Sequence, residues 1–264
     1  MTKILVPLDF SEASKNALNY ALNLFSSTSI EITLLHVYGA HSTALVMKSI
    51  DRVLIKDAKA KLKEVTEDIS AKAPNAKVKT VLAKEYAVSS ISELADSGNY
   101  DFIVMGTKGV SGLKEVFIGS VAGGVISKTE APVIVVPEDY NYQPFKKIIF
   151  ALGNVEINNE KTIQPLKTLT QIEHVELEVL HITKEGESDL KADLDILKDL
   201  NPNYTNKSSE GDINKDISNY ANSEHADLLC LLRTKRDFFH RLFSGSVTSK
   251  QTFDCSIPLL ILHN

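Results

Sequence analysis

One pattern of strands and helices occurs twice in this chain, and this internal repeat restricts the fold more than any other feature of the sequence. When the 264-residue sequence is shifted by 126 positions, six residues meet an identical partner without a gap: Asp101, Phe117, Gly119, Ser120, Val121 and Pro132 align with Asp227, Phe243, Gly245, Ser246, Val247 and Pro258. A single register that holds across several elements indicates an internal duplication.

Each copy alternates short apolar runs with helical periods. In the first copy, the apolar runs predict five strands near residues 3–8, 30–37, 77–83, 101–106 and 132–136. Parallel strands require crossover connections and are buried on both faces, which suits this alternation. The sequence therefore predicts an α/β fold of two tandem doubly wound parallel sheets, each five-stranded in the order 3-2-1-4-5, with helices on both faces.

Local signals fix the ends of several elements. Ser11 is placed to cap the first helix, whose apolar face consists of Ala13, Ala17, Leu18, Ala21, Leu22 and Phe25. A longer, charge-rich helix is predicted from about residue 41 to 73, with Leu54, Ala58, Leu62 and Val65 on one side. The segment from Pro137 to Pro144 has no hydrophobic period and predicts a linker. It divides the chain into a first domain at 1–139 and a second domain at 145–264.

Composition narrows the functional classes. The net charge of −5 and the isoelectric point near 5.8 disfavour nucleic acid and anionic lipid as partners. Pro7 and Asp9 interrupt the first apolar run well before the length of a signal peptide, and no segment approaches the length of a membrane span. The two cysteines, Cys230 and Cys255, provide neither a disulfide framework nor the spacing of metal ligands. We expect a cytoplasmic protein without a resident metal.

A glycine motif follows the fourth predicted strand. Gly106-Thr107-Lys108-Gly109 comes directly after an apolar run, and Gly119-Ser120-Val121 opens the next helix nine residues further on. Backbone N–H groups at such a turn and helix start can close on a phosphate, because glycine leaves the approach open. Ser120 either caps this helix or binds a phosphate oxygen.

Asp9 ends the first strand. In a 3-2-1-4-5 sheet the carboxyl ends of the first and fourth strands lie side by side. The Asp9 carboxylate either caps the following turn or contacts a ligand. His36 and His181 lie in apolar strand ends, where we interpret both as hydrogen-bonded structural residues rather than catalytic ones.

These residues resemble the universal stress protein family, in particular the ATP-binding branch of its tandem members. The resemblance covers essentially the whole chain, closely in the first copy and loosely in the second. It is carried by four segments, which are Val6 to Glu12, Leu34 to Val37, the two glycine clusters, and Ala131 to Pro137.

The resemblance implies a ligand and a set of contacts. Asp9 and Val37 would border the adenosine of ATP or AMP, with or without Mg, and a second set would surround its ribose and phosphates: Gly106, Lys108, Gly109, Gly119, Ser120 and Val121. The family also implies pairing through the fifth strands, at 132–136 and 258–262. In a tandem protein this pairing joins the two copies, and a homodimer is the alternative.

The second copy departs from the motif. Gly106, Gly109 and Asp9 correspond to Leu232, Lys235 and Gly153. Side chains therefore replace open backbone, and we expect one competent site per chain. The loop from Arg233 to Arg241 is rich in cationic and aromatic residues, which fits either an acidic partner or an ordinary solvated loop.

Three functions remain open at this stage. The first is an adenine-nucleotide-binding regulator of the stress response. The second is an interaction or scaffold protein of the same fold that binds no nucleotide. The third is a slow ATP hydrolase, although the sequence has no Gly-Lys-Ser/Thr phosphate loop.

Overall fold

The computed structural model describes most of the chain. The described residues are 1–39, 47–84, 86–107, 116–153, 157, 159–172, 175–183, 195–209, 211–233, 252–253 and 256–264, with backbone alone at 47–50, 116–117 and 252–253. Within these ranges no helix combines the length and the apolar character that a bilayer span requires. The cytoplasmic location stays a prediction.

The first half alternates strands and helices as predicted. Its elements are β1 (Thr2–Pro7), α1 (Glu12–Leu24), β2 (Ile30–Tyr38), α2 (Met47–Lys72), β3 (Lys77–Lys84), α3 (Ala87–Gly98), β4 (Phe102–Thr107), β5 (Val116–Phe117), α4 (Ser120–Lys128) and β6 (Val133–Pro137). All five predicted strands are present within a residue or two of their expected ends. The two-residue strand β5 is an addition that the apolar pattern did not predict.

The described part of the second half repeats this succession. Its elements are β7 (Lys147–Leu152), α5 (Glu160–Ile172), β8 (Glu176–Thr183), a 3₁₀ helix (Asp195–Leu200), β9 (Asn203–Ser208), α6 (Ile213–Ser223), β10 (Leu228–Arg233), β11 (Thr252–Phe253) and β12 (Leu259–His263). The 3₁₀ helix lies between β8 and β9, where the first half has the long helix α2.

Ten strands form one continuous sheet. Their order is β3-β2-β1-β4-β6-β12-β10-β7-β8-β9, so the predicted order 3-2-1-4-5 is confirmed in the first half, with β6 as its fifth long strand. Strands β1, β2, β3, β4 and β6 pair in parallel. The second half has the same order, running inward from β9 to β12.

The two halves meet in the middle of this sheet. Strand β6 pairs antiparallel with β12, and Ile134 lies opposite Leu260. A second antiparallel contact joins the short strands β5 and β11. Because the central pairing is antiparallel, the carboxyl ends of the parallel strands lie at opposite edges of the sheet in the two halves.

The core has two layers, one on each face of the sheet. Side chains alternate between the faces of a strand, so Ile4 contributes to one layer and Leu5 to the other. Each layer contains buried residues of both halves, such as Phe102 with Phe150 and Ile103 with Ile149. The apolar runs of the sequence are nearly continuous because both faces of the central strands are covered.

The predicted cap and apolar face of α1 are confirmed. The hydroxyl of Ser11 accepts a hydrogen bond from the backbone N–H of Ser14 at 3.3 Å. All six residues of the predicted face are buried. The predicted face of α2 is only partly correct, since Ala58 and Leu62 are buried but Leu54 is 36% exposed.

Arg233 connects the two halves. It is the last residue of β10, and its Nη2 donates to the carbonyl oxygen of Ser127 in the last turn of α4 at 3.1 Å. Its Nη1 lies 3.4 Å from Nδ1 of His263 at the end of β12. Burial and the charge of Arg233 lower the pKa of His263 to about 4. Positions 234–241 of the predicted basic loop lie outside the described residues.

The depressed pKa of His263 predicts that stability falls in mild acid. The unfolded chain binds a proton near pH 6.5 and the folded chain only near pH 4, so the contribution of His263 is complete above about pH 6.5 and is lost as the pH falls through 4. Between these values we expect wild type to lose about 2–3 kcal/mol more unfolding free energy than His263→Gln. Urea denaturation at pH 7, 5.5 and 4 measures this difference, and parallel curves for the two proteins would contradict it.

Candidate functional site

A cavity of about 530 Å³ lies at the carboxyl edge of the first-half sheet. The ends of β1 and β4 meet there, because the two strands are neighbours and their crossovers leave in opposite directions, from β1 to β2 and from β4 to β6. The starts of α1, α3 and α4 complete the wall. The cavity is lined by Pro7, Leu8, Asp9, Ser11, Ala13, Ser14, Leu35, Val37, Ala87, Ile91, Met105, Gly106, Thr107, Gly119, Ser120, Val121 and Ala122.

Most of the predicted ligand residues lie on this one cavity. The structure brings together six of them, which come from four separate segments of the chain: Asp9, Val37, Gly106, Gly119, Ser120 and Val121. The other two, Lys108 and Gly109, lie outside the described residues.

Asp9 has both of the roles that its sequence position suggested as alternatives. Its Oδ1 accepts hydrogen bonds from the backbone N–H of Ser11 at 3.0 Å and from the Ser11 hydroxyl at 2.5 Å, which holds the turn before α1. Its side chain also lines the cavity. Burial raises the pKa of Asp9, but hydrogen bonds from Ser11 and Ser14 outweigh burial and leave the pKa below its ordinary value. The carboxylate is therefore ionised at neutral pH.

The amino end of α4 faces the same cavity without a side-chain cap. Gly119 is the N-cap residue and Ser120 is the first helical residue, so the interpretation of Ser120 as the cap is wrong. Among the described residues, no side-chain hydrogen bond caps the N–H groups at the start of this helix. Such unpaired N–H groups, together with the positive end of the helix dipole, favour an anion.

The two glycines nearest the cavity have different reasons to be glycine. A Cβ on Gly106 would lie 2.2 Å from the carbonyl oxygen of Ala13, so this glycine lets β4 approach the backbone of α1. A Cβ on Gly119 would meet nothing within 4 Å. The φ of Gly119 is −58°, which any residue adopts. Packing thus accounts for Gly106, whereas neither packing nor backbone conformation explains Gly119.

Sequence reasoning missed much of the cavity wall. Leu35, Ile91 and Met105 form an apolar inner part, and their strand and helix patterns indicated only core positions. Thr107 was also missed, although it directly follows Gly106. It is 3% exposed, and its hydroxyl has no hydrogen-bond partner among the residues that the structure describes.

The corresponding part of the second half is built differently. His36 and His181 are equivalent, since their Nδ1 atoms donate to the carbonyl oxygens of Leu8 at 2.7 Å and Leu152 at 2.8 Å. The predicted hydrogen bonds of both histidines are confirmed, whereas their structural rather than catalytic role stays a prediction. In place of Gly106, however, stands Leu232, which is buried. The connection from β7 to α5 spans residues 153–159, whereas that from β1 to α1 spans only 8–11.

Comparison with known proteins agrees with the repeat. The model of the universal stress protein family matches this chain twice, at residues 1–137 and 144–263. The chain therefore belongs to the universal stress protein family and is a tandem member with two copies of its domain.

Individual relatives resemble either one copy or the whole chain. Universal stress protein MJ0577 of Methanocaldococcus jannaschii is 29% identical over 153 residues, which covers 51% of this chain and 93% of the relative. Universal stress protein YxiE of Bacillus subtilis is 31% identical over 145 residues, which covers 51% of this chain and 97% of the relative. The crystal structure of a universal stress protein from Archaeoglobus fulgidus covers 98% of this chain and 97% of its own, with a TM-score of 0.74 and 21% identity. It supports the fold of the full chain.

The contact at Gly106 predicts that its replacement acts through packing. In Gly106→Ala, the new Cβ would overlap the backbone of Ala13, and we expect a loss of about 3 kcal/mol in unfolding free energy. Gly123→Ala is a matched control within α4, because its Cβ would lie 3.7 Å from Ile118 and the helix gains from alanine. Urea denaturation of both variants provides the test. Equal stability of Gly106→Ala and wild type would contradict the assigned contact.

Proposed function

We propose that the first half binds an adenine nucleotide, ATP or AMP, in the cavity between β1, β4 and α4, and that the protein acts as a nucleotide-responsive regulator in the stress response. The observation that carries the proposal is the convergence of Asp9, Val37, Gly106 and the Gly119–Val121 segment on one cavity of about 530 Å³. The family resemblance suggests an adenine nucleotide as the ligand. The residues that line the cavity suit its base, sugar and phosphates.

Different parts of the cavity suit different parts of a nucleotide. The apolar inner wall of Leu35, Val37, Ile91 and Met105 suits a base. The ionised carboxylate of Asp9 is an acceptor for a sugar hydroxyl or an amino group. The uncapped start of α4 offers N–H groups to phosphate oxygens. Lys108 and Gly109 stay predicted contacts of the phosphates.

Two features of the wall fit a bound polar molecule. The open space beside Gly119 admits close approach to the backbone. The buried hydroxyl of Thr107 has no partner within the described protein, and an unpaired buried hydroxyl is destabilising unless another molecule satisfies it. Both features lie on the cavity that the predicted ligand residues share.

The proposal assigns one nucleotide to each chain. At the position of Gly106, the second half has a buried leucine, Leu232, and at the position of Asp9 it has Gly153. We infer that the second copy, at about residues 145–264, has a structural or interaction role and that the domain at 1–139 holds the ligand. The antiparallel pairing of β6 with β12 supports association of the two copies within one chain. A homodimer of such chains stays a prediction.

Calorimetric titration with variants of Gly119 tests the proposal. Wild type should bind ATP or AMP saturably, with about one nucleotide per chain. Gly119→Asp provides a better helix cap, so we expect unfolding free energy to rise by about 0.3 kcal/mol, while its negative charge beside the phosphates weakens nucleotide binding about tenfold or more.

Gly119→Asn is the matched control, because it caps the helix equally well without the charge. It should weaken binding about threefold at most, which corresponds to less than about 0.7 kcal/mol. Absence of saturable binding to wild type would favour the scaffold alternative. Equal affinities of the Asp and Asn variants would show that the phosphates do not bind at the start of α4.

Two buried threonines give a second prediction. Thr107→Val removes a buried hydroxyl beside the cavity that has no partner among the described residues, so stability should stay equal or rise, whereas loss of its proposed bond to the nucleotide should lower affinity about fivefold, or roughly 1 kcal/mol. Thr129 is buried outside the cavity, and its hydroxyl donates to Asp96 at 2.7 Å. Thr129→Val should therefore show the reverse, with a loss of about 1 kcal/mol in stability and unchanged affinity. Calorimetric titration measures the affinities and urea denaturation the stabilities of both variants. Unchanged nucleotide affinity of Thr107→Val would contradict the prediction.

A further inference from the structure

Phe10 has a backbone conformation that is unusual for its residue type. Its φ is 66°, in the left-handed region. The other non-glycine residues described with positive φ are Asn99, Asn201 and His225, which are types that enter this region more readily. A bulky aromatic residue keeps such a conformation only where its surroundings impose it, and such residues are concentrated at functional sites.

Contacts of the Phe10 ring supply that constraint. The ring packs on the imidazole of His36, with 4.6 Å between the ring centroids and 37° between the planes. His36 is itself fixed by its hydrogen bond to Leu8. On α2, Nζ of Lys61 lies 5.6 Å from the centroid of the Phe10 ring. One aromatic side chain therefore joins the end of β1 to β2 and α2.

The conformation of Phe10 determines the turn that carries Asp9. Since Phe10 separates Asp9 from Ser11, its left-handed φ lets the Ser11 N–H and hydroxyl reach back to the Asp9 carboxylate. Asp9 lines the cavity, whereas the described residues Phe10, His36 and Lys61 do not. These three residues therefore act on a ligand only indirectly, Phe10 through the turn that carries Asp9 and His36 also through its cavity-lining neighbours Leu35 and Val37.

We propose that Phe10 is a positioning residue of the nucleotide site: packed between His36 and Lys61, its ring holds the Asp9 turn in the orientation that presents the carboxylate to the cavity. This inference rests on the proposed function. The histidine bond to the preceding strand occurs in both halves, through His36 and His181, and so belongs to the repeated fold. The position of Phe10 is taken by Asn154 in the second half, which also lacks the aspartate.

A double-mutant cycle on nucleotide affinity tests this role. Phe10→Gly relieves the backbone strain and removes the ring, so the fold should persist while the dissociation constant rises about tenfold. Asp9→Ala should raise it by a similar factor. If Phe10 acts through Asp9, the double variant should be no weaker than either single variant. Phe10→Tyr retains the ring and should restore binding to within about twofold of wild type.

A ligand-free measurement completes the experiment. The pKa of Asp9, followed by carbon-13 NMR of its carboxyl group, should move towards its ordinary value in Phe10→Gly and remain low in Phe10→Tyr. Unchanged affinity and unchanged Asp9 pKa in Phe10→Gly would overturn the inference and leave the proposed function standing. Additive losses in the double variant would overturn it as well, since Phe10 would then act independently of Asp9. Failure of wild type to bind any nucleotide, in contrast, would overturn the proposed function and the positioning role together.

Discussion

The position of β1 between β2 and β4 is the constraint on which the site depends. The crossover from β1 runs to β2 and that from β4 runs to β6, so the two connections diverge and leave a crevice between the ends of β1 and β4. Everything that faces the cavity follows from this arrangement, including the Asp9 turn, the glycine at the end of β4 and the uncapped start of α4. Residues nearly a hundred positions apart in sequence become neighbours because two parallel strands end side by side.

Prediction from sequence succeeded where a residue's role depends on its local pattern. The strands of the first half are continuous apolar runs because both of their faces are buried, and Ser11 caps α1 because a short hydroxyl side chain precedes an amphipathic period. The glycine motif likewise indicated which strand ends and which helix starts share a cavity. Six predicted ligand residues lie there.

Prediction was weaker where a role depends on distant neighbours. Gly106 and Gly119 look alike in the sequence, yet only Gly106 is required by packing, against the backbone of Ala13. Leu54 belongs to the apolar period of α2 yet is 36% exposed, because the period alone does not show which of its positions the sheet covers. The left-handed conformation of Phe10 has no local signature either, since it depends on contacts with β2 and α2.

Fusion of the two copies into one polypeptide has a consequence for symmetry. An assembly of two identical chains must contain the same residue at equivalent positions, so a substitution in one cleft changes both. Here the equivalent positions are separate codons, and one holds glycine while the other holds leucine, although both lie in a single ten-stranded sheet. Covalent linkage thus allows one cleft to diverge while its counterpart stays intact.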